Sequence, residues 1–136
     1  MTIAIIAHDS KKELMAQFCI AYEGVLSKCE IIASGVTGNW IAEESGLHVH
    51  RYLPGIEGGV HQIASSVFCR DIDMVLFFRD PEKGRQMDPA EMHLLQLCDE
   101  YRIPIATNIA TAEVLIQGLQ RHSINSHTMQ DDMGAW

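Results

Sequence analysis

Asp73-Met74-Val75-Leu76-Phe77-Phe78 is the stretch that decides the fold. Five apolar residues in a row, with no polar alternation, mark a strand covered on both faces, as in parallel sheets. Its flanks agree. Upstream, Val60 to about Cys69 reads as a helix. Downstream, Asp88-Pro89-Ala90-Glu91 puts Asp at the N-cap, Pro at the first helical position and Glu at the third, opening a helix toward Tyr101. A buried strand with a helix on either side is the unit from which parallel sheets are built.

The same rhythm runs outward to both ends. Thr2–Ala7 (TIAIIA) is a β-branched strand, and Ser10-Lys11-Lys12-Glu13 has the S-x-x-E form of a capping box opening a helix toward Tyr22. Glu30–Ala33 is a second strand, broken by Ser34-Gly35-Val36-Thr37-Gly38; a helix from Asn39 to about Ser45 stops at Gly46. Leu47–Leu53 is extended, and Pro54–Gly59 is a loop with three glycines. Pro104–Thr107 is the last strand and Thr111–Leu119 the last helix. The pattern predicts an α/β, single-domain doubly wound sheet of about five mainly parallel strands, with helices on both faces. Residues 1–121 form that domain. Residues 122–136 make a polar tail without clear period, either loose or docked on a neighbouring subunit, with Trp136 favouring docking.

Composition narrows the partners. With 136 residues, the chain fits one domain able to bury a core without disulfide or metal staples. Lys and Arg total 10 against 18 Asp and Glu, a formal charge of −8, which argues against a nucleic-acid partner. A small anion needs only one local positive site and stays open. The apolar runs are strand-length, so no membrane partner is expected, and without a basic leader the expected location is cytoplasmic. Cys19, Cys29, Cys69 and Cys98 lie far apart with no C-x-x-C pair, which reads as reduced core thiols and no metal site. No cofactor is expected.

Each predicted strand is followed by specific residues. His8-Asp9 follow the first, Ser34–Asn39 the second, Pro54–Gly59 the third, Arg79-Asp80 the fourth and Thr107-Asn108 the fifth. In a parallel sheet these turns share one edge, where ligands bind. The Ser34–Gly38 and Pro54–Gly59 turns run from strand to helix and offer hydroxyls and backbone N–H groups to an anion, with Lys12 adding a full charge. Taken singly, the glycines also read as permissive turn residues, and Asp9 and Asp80 as turn caps.

Six motifs stand out: I-A-H-D-x-K-K from Ile6 to Lys12, A-S-G-V-T-G-N from Ala33 to Asn39, F-F-R-D-P from Phe77 to Pro81, Asp88-Pro89, the L-L-x-L-C-D run ending at Asp99, and I-P-I-A-T-N from Ile103 to Asn108. Together, in this order and spacing, they resemble the methylglyoxal synthase family. The resemblance implies a doubly wound homohexamer that converts dihydroxyacetone phosphate to methylglyoxal and phosphate. A carboxylate would take a proton beside the ketone, a neutral histidine would polarise the carbonyl, and a lysine with hydroxyls and amides would hold the phosphate. Carried over position by position, it implies His8, Asp9 and Asp80 for the catalytic set and Lys12, Ser34, Thr37 and Gly55 for the phosphate or substrate, with Gly35 and Gly38 of the Ser34–Gly38 turn offering backbone amides beside them.

The likeness breaks at the proton-transfer groups. The family's third loop reads S-G-P-x-G-G-D-Q, with the Asp as base; here Val60 takes that position and Pro54 the place of the Ser. The family's P-H-x-P-D becomes Gln86-Met87-Asp88-Pro89-Ala90, so Met87 replaces the histidine and Ala90 an Asp. Val36 replaces a Thr, and no Lys or Arg follows Arg121 to reach a neighbour's phosphate. Three readings follow. One is a divergent carbon–oxygen lyase for a small phosphorylated or anionic carbonyl compound, with a relocated base, for which Glu57 and Asp9 are the first candidates and His61 a further new polar residue. The second is a catalytically silent anion-binding or regulatory module, and the third is the ordinary family reaction despite the substitutions.

Overall fold

A computed structural model describes residues 1–51, 56–82 and 88–122. Its elements are β1 (Thr2–Ala7), a single 3-10 turn (Asp9–Lys11), α1 (Lys12–Ala21), α2 (Glu23–Leu26), β2 (Glu30–Ala33), α3 (Gly35–Ser45), β3 (Val49–Arg51), α4 (Ile56–Phe68), β4 (Met74–Phe78), α5 (Pro89–Tyr101), β5 (Ile105–Ala106) and α6 (Ile109–His122). The five strands form one sheet in the order β3-β2-β1-β4-β5, and every neighbouring pair is parallel. The predicted class is therefore the observed one.

The Phe77–Phe78 pair shows how the layers assemble. Adjacent strand residues point to opposite faces, so each ring serves a different core. Phe78 joins Met15 and Phe18 of α1, Ile41 of α3 and Ile116 of α6. Phe77 joins Ile63 and Val67 of α4 and Leu94 and Leu97 of α5. Ile3 and Ile5 of β1 face the first group, and Ala4 and Ile6 the second. Both faces of the central strand are thus covered, which explains why β1 and β4 read as apolar throughout.

Growth of the sheet reverses at β1. The chain leaves β1 for β2 and β3 on one side, then returns through α4 to β4 on the other. A crevice opens beyond the carboxyl end of such a strand, because its neighbours' connections depart to opposite faces. Backbone bonds tie this region together: the His8 N–H donates to the Phe78 carbonyl at 3.1 Å and the Arg79 N–H to the Thr107 carbonyl at 3.3 Å.

Several boundaries differ from expectation. The Ser10–Glu13 capping box does not form, and α1 has no side-chain cap. The Ser10 hydroxyl instead donates to Asp80 Oδ2 at 2.8 Å, since an ionised acceptor outcompetes a backbone bond. Helix α3 starts at Gly35, not Asn39, with Gly35, Thr37 and Gly38 buried in its first turn. The poor propensity of glycine, about 1 kcal/mol each, yields there to packing. Likewise Ile56–Gly59 is helix, not loop, while Leu53, Pro54 and Gly55 lie outside the described residues. Helix α6 starts earlier than Thr111 because Asn108 caps it, accepting from the Thr111 N–H at 3.1 Å. Nearly all of the tail from residue 122 lies outside the described residues. No helix among the described residues is long and apolar enough to cross a membrane.

Two of the four thiols are core groups. Burial pushes Cys19 up to about 12, and burial with the Asp99 charge pushes Cys98 up to about 12. Cys69, by contrast, is exposed, contrary to the reading of all four as core. A neutral-pH thiol reagent is expected to label Cys69 in the native protein and reach Cys19 and Cys98 only after denaturation, checked by mass spectrometry. Phe77→Ala should cost about 3–5 kcal/mol in chemical denaturation. Val114→Ala, at a residue 68% exposed, should stay within about 0.5 kcal/mol.

Candidate active site

The cavity at the sheet's carboxyl edge measures about 320 Å³ and gathers side chains from four segments. His8, Asp9 and Lys12 come from the exit of β1, Ser34, Val36 and Thr37 from the start of α3, Gly59 and Val60 from α4, and Glu91 from α5. Ile6 and Ile63 complete its apolar wall. A second cavity, of about 370 Å³, lies at the opposite edge around Leu26, Cys29, Glu30 and Leu47, away from these turns.

One side of the first cavity suits an anion. Ser34 is the N-cap of α3 with extended backbone, yet its side chain makes no capping bond. The first N–H groups of a helix have no intrahelical carbonyl to meet and carry the positive end of its dipole. The Thr37 side chain is 3% exposed and lines the same wall. Lys12 Nζ lies 2.9 Å from Asp9 Oδ1, with the Asp9 side chain 69% exposed. An i,i+3 pair open to solvent on the Asp9 side contributes about 0–1 kcal/mol, so a phosphate dianion can draw Lys12 away at small cost.

The other side is organised by His8, a residue 7% exposed. The Asp80 backbone N–H donates to His8 Nδ1 at 2.8 Å, which assigns the ring proton to Nε2. Nε2 lies 2.7 Å from Glu91 Oε1 and donates to it. The contact is therefore a charge-assisted hydrogen bond from a neutral imidazole, with both ring nitrogens engaged. Phe77 packs against the ring edge-on, centroids 5.3 Å apart.

The expected residues are placed as follows. His8, Asp9, Lys12, Ser34 and Thr37 come together in the cavity wall. Gly35 and Gly38 are buried beside it in the first turn of α3 without lining it. Asp80 stands behind His8, its carboxylate accepting from Ser10 and from the Glu82 N–H. His61 is exposed on α4 and does not line the cavity. Gly55, Met87 and the Glu57 side chain lie outside the described residues. Glu91 is the site group that sequence reasoning missed. It reads as a capping glutamate at the third position of α5, and only its burial against His8 reveals otherwise. No group of three or more His, Cys, Asp or Glu among the described residues is arranged to hold a metal ion.

Comparison with known proteins matches the chain to a family. Residues 15–107 fit the family model described as MGS-like domain. The chain is 54% identical over 125 residues to the methylglyoxal synthase of Caldicellulosiruptor saccharolyticus, covering 92% of this chain and 89% of that one. The chain belongs to the methylglyoxal synthase family. Another such enzyme, from Thermoanaerobacter pseudethanolicus, is 47% identical over 131 residues, covering 96% of this chain and 99% of its own. The crystal structure of methylglyoxal synthase from Elizabethkingia anophelis superposes with a TM-score of 0.76 at 36% identity, covering 85% of this chain and 76% of that one. Family membership thus covers most of the chain.

The Lys12 side of the cavity can be tested without turnover. Lys12→Met should weaken inorganic phosphate binding about tenfold to a hundredfold, the range for a lost charge-assisted contact. Glu13→Gln, at an exposed neighbouring position, should leave the affinity unchanged. Isothermal calorimetry on the two variants and the parent chain makes the comparison.

Proposed function

We propose that this chain is a methylglyoxal synthase-like carbon–oxygen lyase that eliminates phosphate from a small phosphorylated carbonyl compound, with dihydroxyacetone phosphate the first substrate to try. The observation that carries the reading is the convergence of Lys12, Ser34, Thr37 and the open start of α3 on one wall of a cavity that also holds carboxylates. The phosphate would lie on that wall. The reacting carbons would then reach the carboxylate side, where loss of a proton gives an enediol that expels the phosphate. Val60 offers no proton acceptor, so the base must come from another residue of the cavity.

A homo-oligomer, a hexamer by family likeness, and a cytoplasmic location belong to the same reading. Support for association comes from Val36 and Trp40, exposed one turn apart on α3.

One observation favours a second reading, a catalytically silent anion-binding module. Val60, in the family's base position, is only 2% exposed and packed into the core between α4 and the sheet. The wall that would grip phosphate does not depend on it.

A phosphate-release assay on dihydroxyacetone phosphate separates the two. The lyase reading expects release that is saturable and lowered about tenfold to a hundredfold by Lys12→Met at substrate concentrations below saturation. Calorimetric binding of phosphate with no release from any triose phosphate would overturn it in favour of the silent module. Within the lyase reading, Val60→Asp restores a carboxylate to the family position and should leave a base supplied elsewhere unable to account for all of the rate.

A further inference from the structure

We infer that Glu91 is the proton-accepting carboxylate of this site, held in position by His8; the inference deepens the lyase reading and rests on it. Glu91 is 5% exposed, the one buried carboxylate among the described residues. An ionised carboxylate out of water is costly unless paired. It nonetheless lines the cavity beside Val60 and Lys12. The other carboxylate in the wall, Asp9, has a side chain 69% exposed and lies against Lys12, the cation needed for phosphate.

The plain alternative is a capping role, since Glu at the third helical position often reaches back to the N-cap. Helix α5 is already capped by Asp88, whose carboxylate accepts from the Ala90 N–H at 2.7 Å. Glu91 turns to the sheet instead. Its Oε1 accepts from His8 Nε2, and His8 cannot rotate freely because Asp80 N–H occupies Nδ1. One oxygen is thereby held in place. A base must be placed to within hydrogen-bond reach of the proton it removes, and this chain of contacts supplies that placement from β1, β4 and α5 together.

The step balances with substrate and carboxylate alone. Glu91 takes a proton from the hydroxymethyl carbon of dihydroxyacetone phosphate. The C–H electron pair becomes the new C=C bond, and the carbonyl π pair moves to oxygen. The terminal hydroxyl then becomes the aldehyde and passes its proton to the departing phosphate, which takes the C–O pair and leaves as hydrogen phosphate. The enolate left behind receives the first proton, returned by Glu91, on the carbon that carried the phosphate, and its oxygen pair re-forms the ketone.

Two readouts on the full chain test the assignment: phosphate release, and exchange of deuterium from solvent into the hydroxymethyl carbon of dihydroxyacetone phosphate, followed by NMR. Glu91→Gln should lower both by about a hundredfold or more while inorganic phosphate affinity stays within about twofold. Glu91→Asp, which keeps the charge, should recover part of the exchange. A Gln variant that binds phosphate and turns over like the parent overturns the assignment and leaves the lyase reading standing. So does a Gln variant that loses phosphate binding along with turnover, because that marks Glu91 as structural. Exchange that depends on Glu91 without phosphate release supports the assignment and overturns the lyase reading. A parent chain with neither exchange nor release overturns both.

Discussion

The site depends on one buried imidazole. His8 has two ring nitrogens, and a buried polar atom without a partner costs about 1–3 kcal/mol, so each must be met. One is met by the backbone after β4, the other by the first turn of α5. The His8 N–H in turn meets the end of β4. Three segments far apart in sequence are thereby brought to one point at the sheet's switch in direction. The cavity exists where it does because those demands are satisfied together.

The wall around that ring has two halves with separate physics. The Lys12 half brings together an ammonium paired with Asp9, two hydroxyls and a helix start, in a chain whose formal charge is −8. Local field, not net charge, decides where a small anion settles. The Glu91 half works by hydrogen-bond direction, through a neutral ring whose proton is assigned by a backbone donor. Val36 and Val60, both apolar, sit in the wall itself. The scaffold beneath them, from β1 to the two phenylalanines of β4, shows no corresponding interruption of its core.

Much of this was legible in the sequence, for physical reasons that differ by element. β4 declared itself because a run covered on both faces has no polar alternation. The start of α5 did so because Asp88-Pro89 carries a complete capping signal, and Gly46 marked the end of α3 by its left-handed backbone, φ 74°. The start of α3 stayed hidden, since Gly35 and Gly38 weaken helix locally and only tertiary burial restores it. Ser10 misled for a related reason: its hydroxyl had a local backbone partner on paper and a better, distant carboxylate in space. In the site, Lys12, Ser34 and Thr37 followed from the rule that loops at strand ends converge. Glu91 did not, because its meaning lies in a contact with a residue 83 positions away.

The central place of β1 also shapes how the chain folds. Thr2 and Asp73, paired by backbone and side chain at the entrance to the two middle strands, are 71 positions apart. Until β4 is made, β1 has no strand on its β4 side, and α5 and α6, which complete the two cores, come later still. Pairing across such a separation closes a long loop before any contact repays it, which slows folding relative to chains with mostly local contacts. A ribosome-bound fragment ending before residue 74 would therefore leave both faces of β1 part-covered, one short of α6 and the other short of α5, a substrate for chaperones and a liability in crowded expression.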